Sequence, residues 1–261
     1  MIRAIAHPTD FSAEGRIAFD HALALALHHR ARLDLLHVGA PGAEGEWQRF
    51  PRVRARLVEW GRLSAGSEPG EVARQTGVEV RKIELHAKDP AEGLGTFLAD
   101  HHPDVVVMTS HGRTGLARLL QGSLTAQVAR ESQAAMLLFG PHSGGFADPA
   151  NGTLTPGRVL VPVDHQPLAE TALDPLEAIL AGLGAQLDGL HVGTAAPALH
   201  GLTVRLASGG TVDTILAEAD GAGLIAMPTE GRHGLRDARL GSTAERVLAG
   251  AKVPVLALPA G

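Results

Sequence analysis

The chain is written twice. A short apolar run closed by Pro-x-Asp opens it, "IRAIAHPTD" ending at Asp10, and a second, "GRVLVPVD", ends at Asp164. "ARLDLLHVG" carries His37 and Val38, and "AQLDGLHVG" carries His191 and Val192. Asp10 to Asp164 and Val38 to Val192 are both steps of 154 residues. The match then resumes at a shorter step. "GRTGLARLLQGS" from Gly112 and "GRHGLRDARLGS" from Gly231 stand 119 apart, as do Gly122 and Gly241. A repeat of this length means one small fold built two times. Copy two is short by the difference, 154 less 119, or 35 residues, lost between its "LHVG" run and the next strand. Copy one fills that interval with a segment including "RVRARLVEWGRL", whose apolar spacing predicts an amphipathic helix.

Between the copies, "HSGGFADPANGTLTPG" is rich in Gly, Pro, Ser and Asn, has no periodicity, and reads as a linker. The boundaries that follow are 1–142, a linker over 143–156, and 157–261. Within each copy, short apolar runs alternate with longer helical patterns. Alternating β and α with near-continuous apolar strands predicts an α/β fold, a doubly wound parallel sheet covered on both faces. Such a sheet binds ligands outside the carboxyl ends of its strands, where strand order reverses. The last strands, "AMLLFG" and "VPVLALP", carry no charge, and an uncharged edge invites pairing. Pairing these two edges would join the copies into a pseudo-symmetric unit.

Composition narrows the function classes. A net charge of −5 argues against nucleic acid as the main partner. Without cysteine there is no disulfide, thiolate metal site or thiol catalysis. No leader pattern opens the chain and no apolar stretch is long enough to span a bilayer, so the expected compartment is the cytoplasm, with no membrane partner. The arginines at 49, 52, 54, 56 and 62 read as a solvated helix face. The adjacent pairs His28-His29 and His101-His102 read as solvated helix ends, since neighbours on a helix do not converge on one ion. His37 and His191, in equivalent strands, read as strand-end packing or a hydrogen bond. No metal site and no catalytic pair is expected.

Two features carry chemistry. Ser123 and Ser242 each follow a glycine and precede a helical pattern, and serine is a favoured N-cap. A helix start also offers free N–H groups and about half a positive charge, which suit an anion such as phosphate. Asp10 and Asp164 close strands after Pro-x, where an aspartate serves equally as a turn former or a ligand contact.

With these residues in place, the sequence resembles the universal stress protein family. Its ATP-binding members carry Gly-x2-Gly-x9-Gly-(Ser/Thr) after the fourth strand, an Asp ending the first and a Val ending the second. The likeness spans nearly all of both copies, and the chain looks like a tandem universal stress protein. It implies two Rossmann-like domains of the adenine nucleotide alpha hydrolase type. It also implies a stress-response module that binds ATP or a related adenine nucleotide, with or without magnesium, in copy one. The residues so implied are Pro8, Asp10, Val38, Met108, Thr109, Gly112, Arg113, Gly122, Ser123, Leu124 and Thr125. Weaker counterparts in copy two are Asp164, Val192, Gly231, Gly241 and Ser242. The alternative is a scaffold of the same fold that binds no nucleotide and acts through protein interaction, as a pseudo-dimer or homodimer.

The motif's first glycine is missing from both copies, replaced by Thr109 and by Pro228. If that position needs positive φ, a β-branched residue there costs about 1–2 kcal/mol. Threonine could still offer its hydroxyl to a ligand. Copy two also places Glu230 where copy one has His111. A carboxylate beside a polyphosphate costs roughly 3–4 kcal/mol at an effective dielectric near 20. Copy two is therefore expected to bind nucleotide weakly or not at all.

Overall fold

The computed structural model describes residues 1–42, 45–110, 134–165, 170–230 and 242–260. In copy one the elements run β1 (Ala4–Pro8), α1 (Arg16–His29), β2 (Arg32–Gly39), α2 (Val53–Glu59), α3 (Glu71–Thr76), β3 (Val80–His86), α4 (Pro90–His101), β4 (Val105–Thr109) and β5 (Ala135–Phe139). Copy two follows as β6 (Arg158–Pro162), α5 (Glu170–Leu180), β7 (Gln186–Val192), β8 (Val204–Ala207), α6 (Thr211–Glu218), β9 (Leu224–Glu230), α7 (Ser242–Gly250) and β10 (Val255–Ala260).

The ten strands among the described residues form one sheet in the order β3-β2-β1-β4-β5-β10-β9-β6-β7-β8. Each half is parallel throughout, and helices cover both faces of the sheet. The halves meet at the centre, where β5 and β10 run antiparallel with Leu137 opposite Leu256 and Met136 opposite Ala257. The two uncharged edges thus pair with each other, as their composition predicts.

Side-chain alternation divides the core into two layers. Ile5, Leu33, Leu35, Val105 and Val107 point to one face and pack with α1, α2 and α5. Ala6, Leu36, Val106 and Met108 point to the other, with α4, α6 and α7. The repeat extends to charge within the strands. Asp34 accepts hydrogen bonds from Arg32 and Arg81, and Asp188, 154 residues on, accepts from Arg158 and Arg205.

Four sequence readings are corrected. The insert of copy one holds a second short helix, α3, beyond the one read over "RVRARLVEWGRL", which is α2. Its arginines are not all solvated. Arg56 is buried and makes two bonds to Asp20, of 2.8 and 2.6 Å, and one of 2.7 Å to Glu59. His28 and His29 are not merely solvated ends of α1. Their Nε2 atoms bond the carbonyls of Ala181 (2.7 Å) and Ile179 (3.0 Å) at the end of α5, so they tie copy one to copy two. The segment 143–156 is folded against the body. Phe146 is buried, and the amides of Phe146 and Ala147 both donate to His21 Nε2. Apolar periodicity is blind to the last three because each depends on a remote polar atom.

Candidate functional site

The carboxyl ends of β1, β2 and β4 lie side by side, since β1 is flanked by β2 and β4. Pro8, Val38 and Met108 close or nearly close these strands, and strand alternation puts all three on the α4 face. Val38 packs against α4 at Gly93, where an added Cβ would stand 3.2 Å from Val38 Cγ1. The glycine lets the helix approach the strand end and forms the back of the rim.

Asp10 follows β1. Its Oδ1 accepts from the Ser12 backbone N–H at 3.0 Å and from the Ser12 hydroxyl. The turn role open in the sequence is therefore filled by one carboxylate oxygen. Phe11 comes next at φ 60, in the left-handed region that is costly for an aromatic residue. Its ring stacks on His37 at 4.0 Å, and Phe50 meets it edge-on at 5.3 Å. His37 Nδ1 donates to the Thr9 carbonyl at 2.9 Å, which clamps the loop after β1 to the end of β2. On its other side, His37 Nε2 is 3.3 Å from Glu46 Oε2. The insert thus closes over the ends of β1 and β2 from the α1 side.

Thr109 ends β4, buried, and pairs with Phe139 of β5. It is absent from the positive-φ residues, so the backbone strain conditionally expected there does not arise. Alternation places its side chain on the same face as Val105 and Val107, opposite to Pro8 and Met108. Pro228 likewise sits in strand β9 opposite Leu258, without positive φ. Gly112, Arg113, Gly122, Ser123, Leu124, Thr125, Gly231 and Gly241 lie outside the described residues, as does His111. Ser242 is the first residue of α7.

Copy two repeats the clamp but not the enclosure. His191 Nδ1 donates to the Val163 carbonyl at 3.0 Å, the counterpart of the bond from His37 to Thr9. His165 takes the place of Phe11 and meets His191 edge-on at 5.3 Å. Asp164 has a side chain 68% exposed, and Val192 is half-buried. No counterpart of α2 or α3 stands between β7 and β8. The hydrogen-bonding role read for His37 and His191 holds. Sequence reasoning missed Phe11, Glu46 and Phe50. An aromatic directly after Pro-x-Asp was the available signal for the first. Among the described residues no group of three acidic or histidine side chains could hold a metal ion. No helix among them is long and apolar enough to cross a membrane.

The universal stress protein family model matches residues 1–139 and 200–259. Over 155 residues the chain is 26% identical to Universal stress protein MJ0577 of Methanocaldococcus jannaschii, covering 53% of this chain and 94% of that protein. A crystal structure of a universal stress protein from Archaeoglobus fulgidus aligns with a TM-score of 0.62 at 21% identity, over 99% of this chain and 97% of that one. The cytoplasmic domain of a prokaryotic cation chloride cotransporter shares the fold as well, with a TM-score of 0.58 at 10% identity over 98% of this chain and 95% of that one. The last likeness shows that this architecture also serves as a domain in a transport protein. The clamped strand ends, the doubled sheet and the two-part family match lead to one assignment: the chain belongs to the universal stress protein family and carries two of its domains.

Proposed function

We propose that copy one binds an adenine nucleotide at the rim of β1, β2 and β4 and that the chain works as a nucleotide-responsive regulatory module rather than an enzyme. The observation that supports this most directly is the shared face. Pro8, Val38 and Met108 stand together at three adjacent strand ends, with Gly93 making room behind them. Asp10 borders that rim, where its carboxylate would meet a ribose. The main chain of Val38 would read the adenine edge, and the glycine loop from Gly112 with Ser123 would seat the phosphates on free amides. Thr109 does not oppose this reading, because its side chain belongs to the other face.

Copy two acts as the structural partner. Its Asp164 is exposed, its β7–β8 link is short, and Pro228 removes a backbone donor near the rim. The test is mass spectrometry of the small molecules released when gently purified protein is denatured, followed by calorimetry with ATP and Mg²⁺. An adenine nucleotide at one per chain is expected, and Gly122→Val should abolish the heat while the fold persists. Absence of heat at millimolar ATP would leave the scaffold reading in its place. Two equivalent sites would contradict the role given to copy two.

A further inference from the structure

On the opposite face of the sheet, between the start of α1 and α2, lies a second cleft of about 520 Å³, within the range of small-molecule sites. His7 of β1 lines it. The ring is 1% exposed, and its Nδ1 is 2.8 Å from the Val107 carbonyl. A carbonyl only accepts, so Nδ1 carries the hydrogen and Nε2 presents a lone pair. Burial pushes the ring's pKa down to about 4, which keeps it neutral. Nε2 is itself buried and receives no hydrogen bond. Buried polar atoms are nearly always satisfied, and one in the wall of a cleft asks for a donor from outside the chain.

The duplication supplies a control. The position 154 residues on is Val161, fully buried in β6. The fold is therefore content with an aliphatic side chain here, and the histidine is not needed to build it. The surroundings specify the rest of the guest. Arg16, Arg49, Arg52 and Arg56 line the cleft against Asp20 and Glu59, a surplus of positive charge. Arg56 is held by both carboxylates, whereas Arg52 is exposed and makes no ion pair among the described residues. Phe11, Phe19, Pro51 and Ala55 supply the apolar wall.

We propose that this cleft is a second ligand site, separate from the nucleotide rim, for a small organic anion that donates a hydroxyl to His7 Nε2 and sets its carboxylate against Arg52. An aromatic or aliphatic body between the two groups would lie on Phe11 and Phe19. The cleft lies across β1 from the nucleotide rim, because His7 and Pro8 point to opposite faces of the strand, and the two share only the turn from Thr9 to Ser12.

The probe is 4-hydroxybenzoate, titrated into the full chain with ¹⁵N-labelled histidine. The His7 Nε2 resonance should move saturably in the direction of a hydrogen-bonded lone pair. By calorimetry, Arg52→Ala should weaken binding tenfold or more, and His7→Val, which copies the residue of copy two, should abolish it with the fold intact. An unmoved His7 resonance at millimolar probe would overturn the proposal, as would equal affinity in the wild type and either variant. ATP calorimetry on His7→Val keeps the two sites apart: unchanged nucleotide heat with lost probe binding is expected, and loss of both would deny the separation.

Discussion

His21 shows how much one side chain can hold. It sits in α1 directly after Asp20 and is 1% exposed. Nδ1 donates to the Ile17 carbonyl at 2.7 Å, and Nε2 accepts from the amides of Phe146 and Ala147 at 2.9 and 3.0 Å. Gly145 passes so close to the ring that any Cβ there would collide with it. A protonated ring could not accept those two amides. Burial moves the pKa of His21 from 6.5 down to about 4, as it does for His7. The sign follows directly. Unfolded chains bind these two protons below about pH 6.5, and the folded chain does not until about pH 4, so stability is full above 6.5 and falls as pH drops. By pH 5 the loss amounts to about 2 kcal/mol per ring. Urea unfolding at pH 7.5 and pH 5 should show it, and His7→Val should reduce the pH-dependent loss by about 2 kcal/mol. Equal pH dependence in both proteins would refute this.

At the scale of elements, the insert of copy one is fastened by charge. Arg56 of α2 meets Asp20 of α1 through two hydrogen bonds, adds Glu59 of its own helix, and stacks over Trp60 at 4.9 Å. Burial works against the charge, but the bonds to Asp20 and Glu59 outweigh it and raise the guanidinium's pKa. Asp20→Ala would leave that cation buried with its main partner gone. The expected destabilisation is about 3–5 kcal/mol by chemical denaturation. Asp20→Leu combined with Arg56→Met should recover much of it, because an apolar pair can replace a buried ion pair at little cost. Strand and helix order in both copies was readable from apolar spacing, and the shortening of copy two from the change of step in the repeat. The insert's second helix, α3, was not, nor was the burial of Arg56. Asp20 is 36 residues away, and local periodicity has no access to such a partner. The rim was legible only in part: Asp10 and Val38 stand out by repetition, whereas Glu46 and Phe50 belong to the insert, which has no second copy, and Phe11 gives way to His165 in copy two.

At the scale of the molecule, the central seam decides whether the copies are separable. β5 and β10 are each buried along the residues that pair, and together they turn two parallel sheets into one. His28 and His29 add a second tie to α5, and the 143–156 segment a third through His21 and through Trp60 Nε1, which donates to the Pro149 carbonyl at 3.1 Å. A fragment of residues 1–156 keeps the third tie and loses the other two. Its β5 would become an open, uncharged edge, and such an edge templates pairing with another chain. The seam itself shows the geometry open to it, an antiparallel contact centred near Leu137. The fragment should therefore associate at micromolar concentration, as dimers through β5 or as larger aggregates, whereas the full chain has this edge already covered. Sedimentation of the two side by side checks it. A fragment that stayed monomeric and folded would mean that the seam is a convenience of the duplicated chain and not a requirement of its first half.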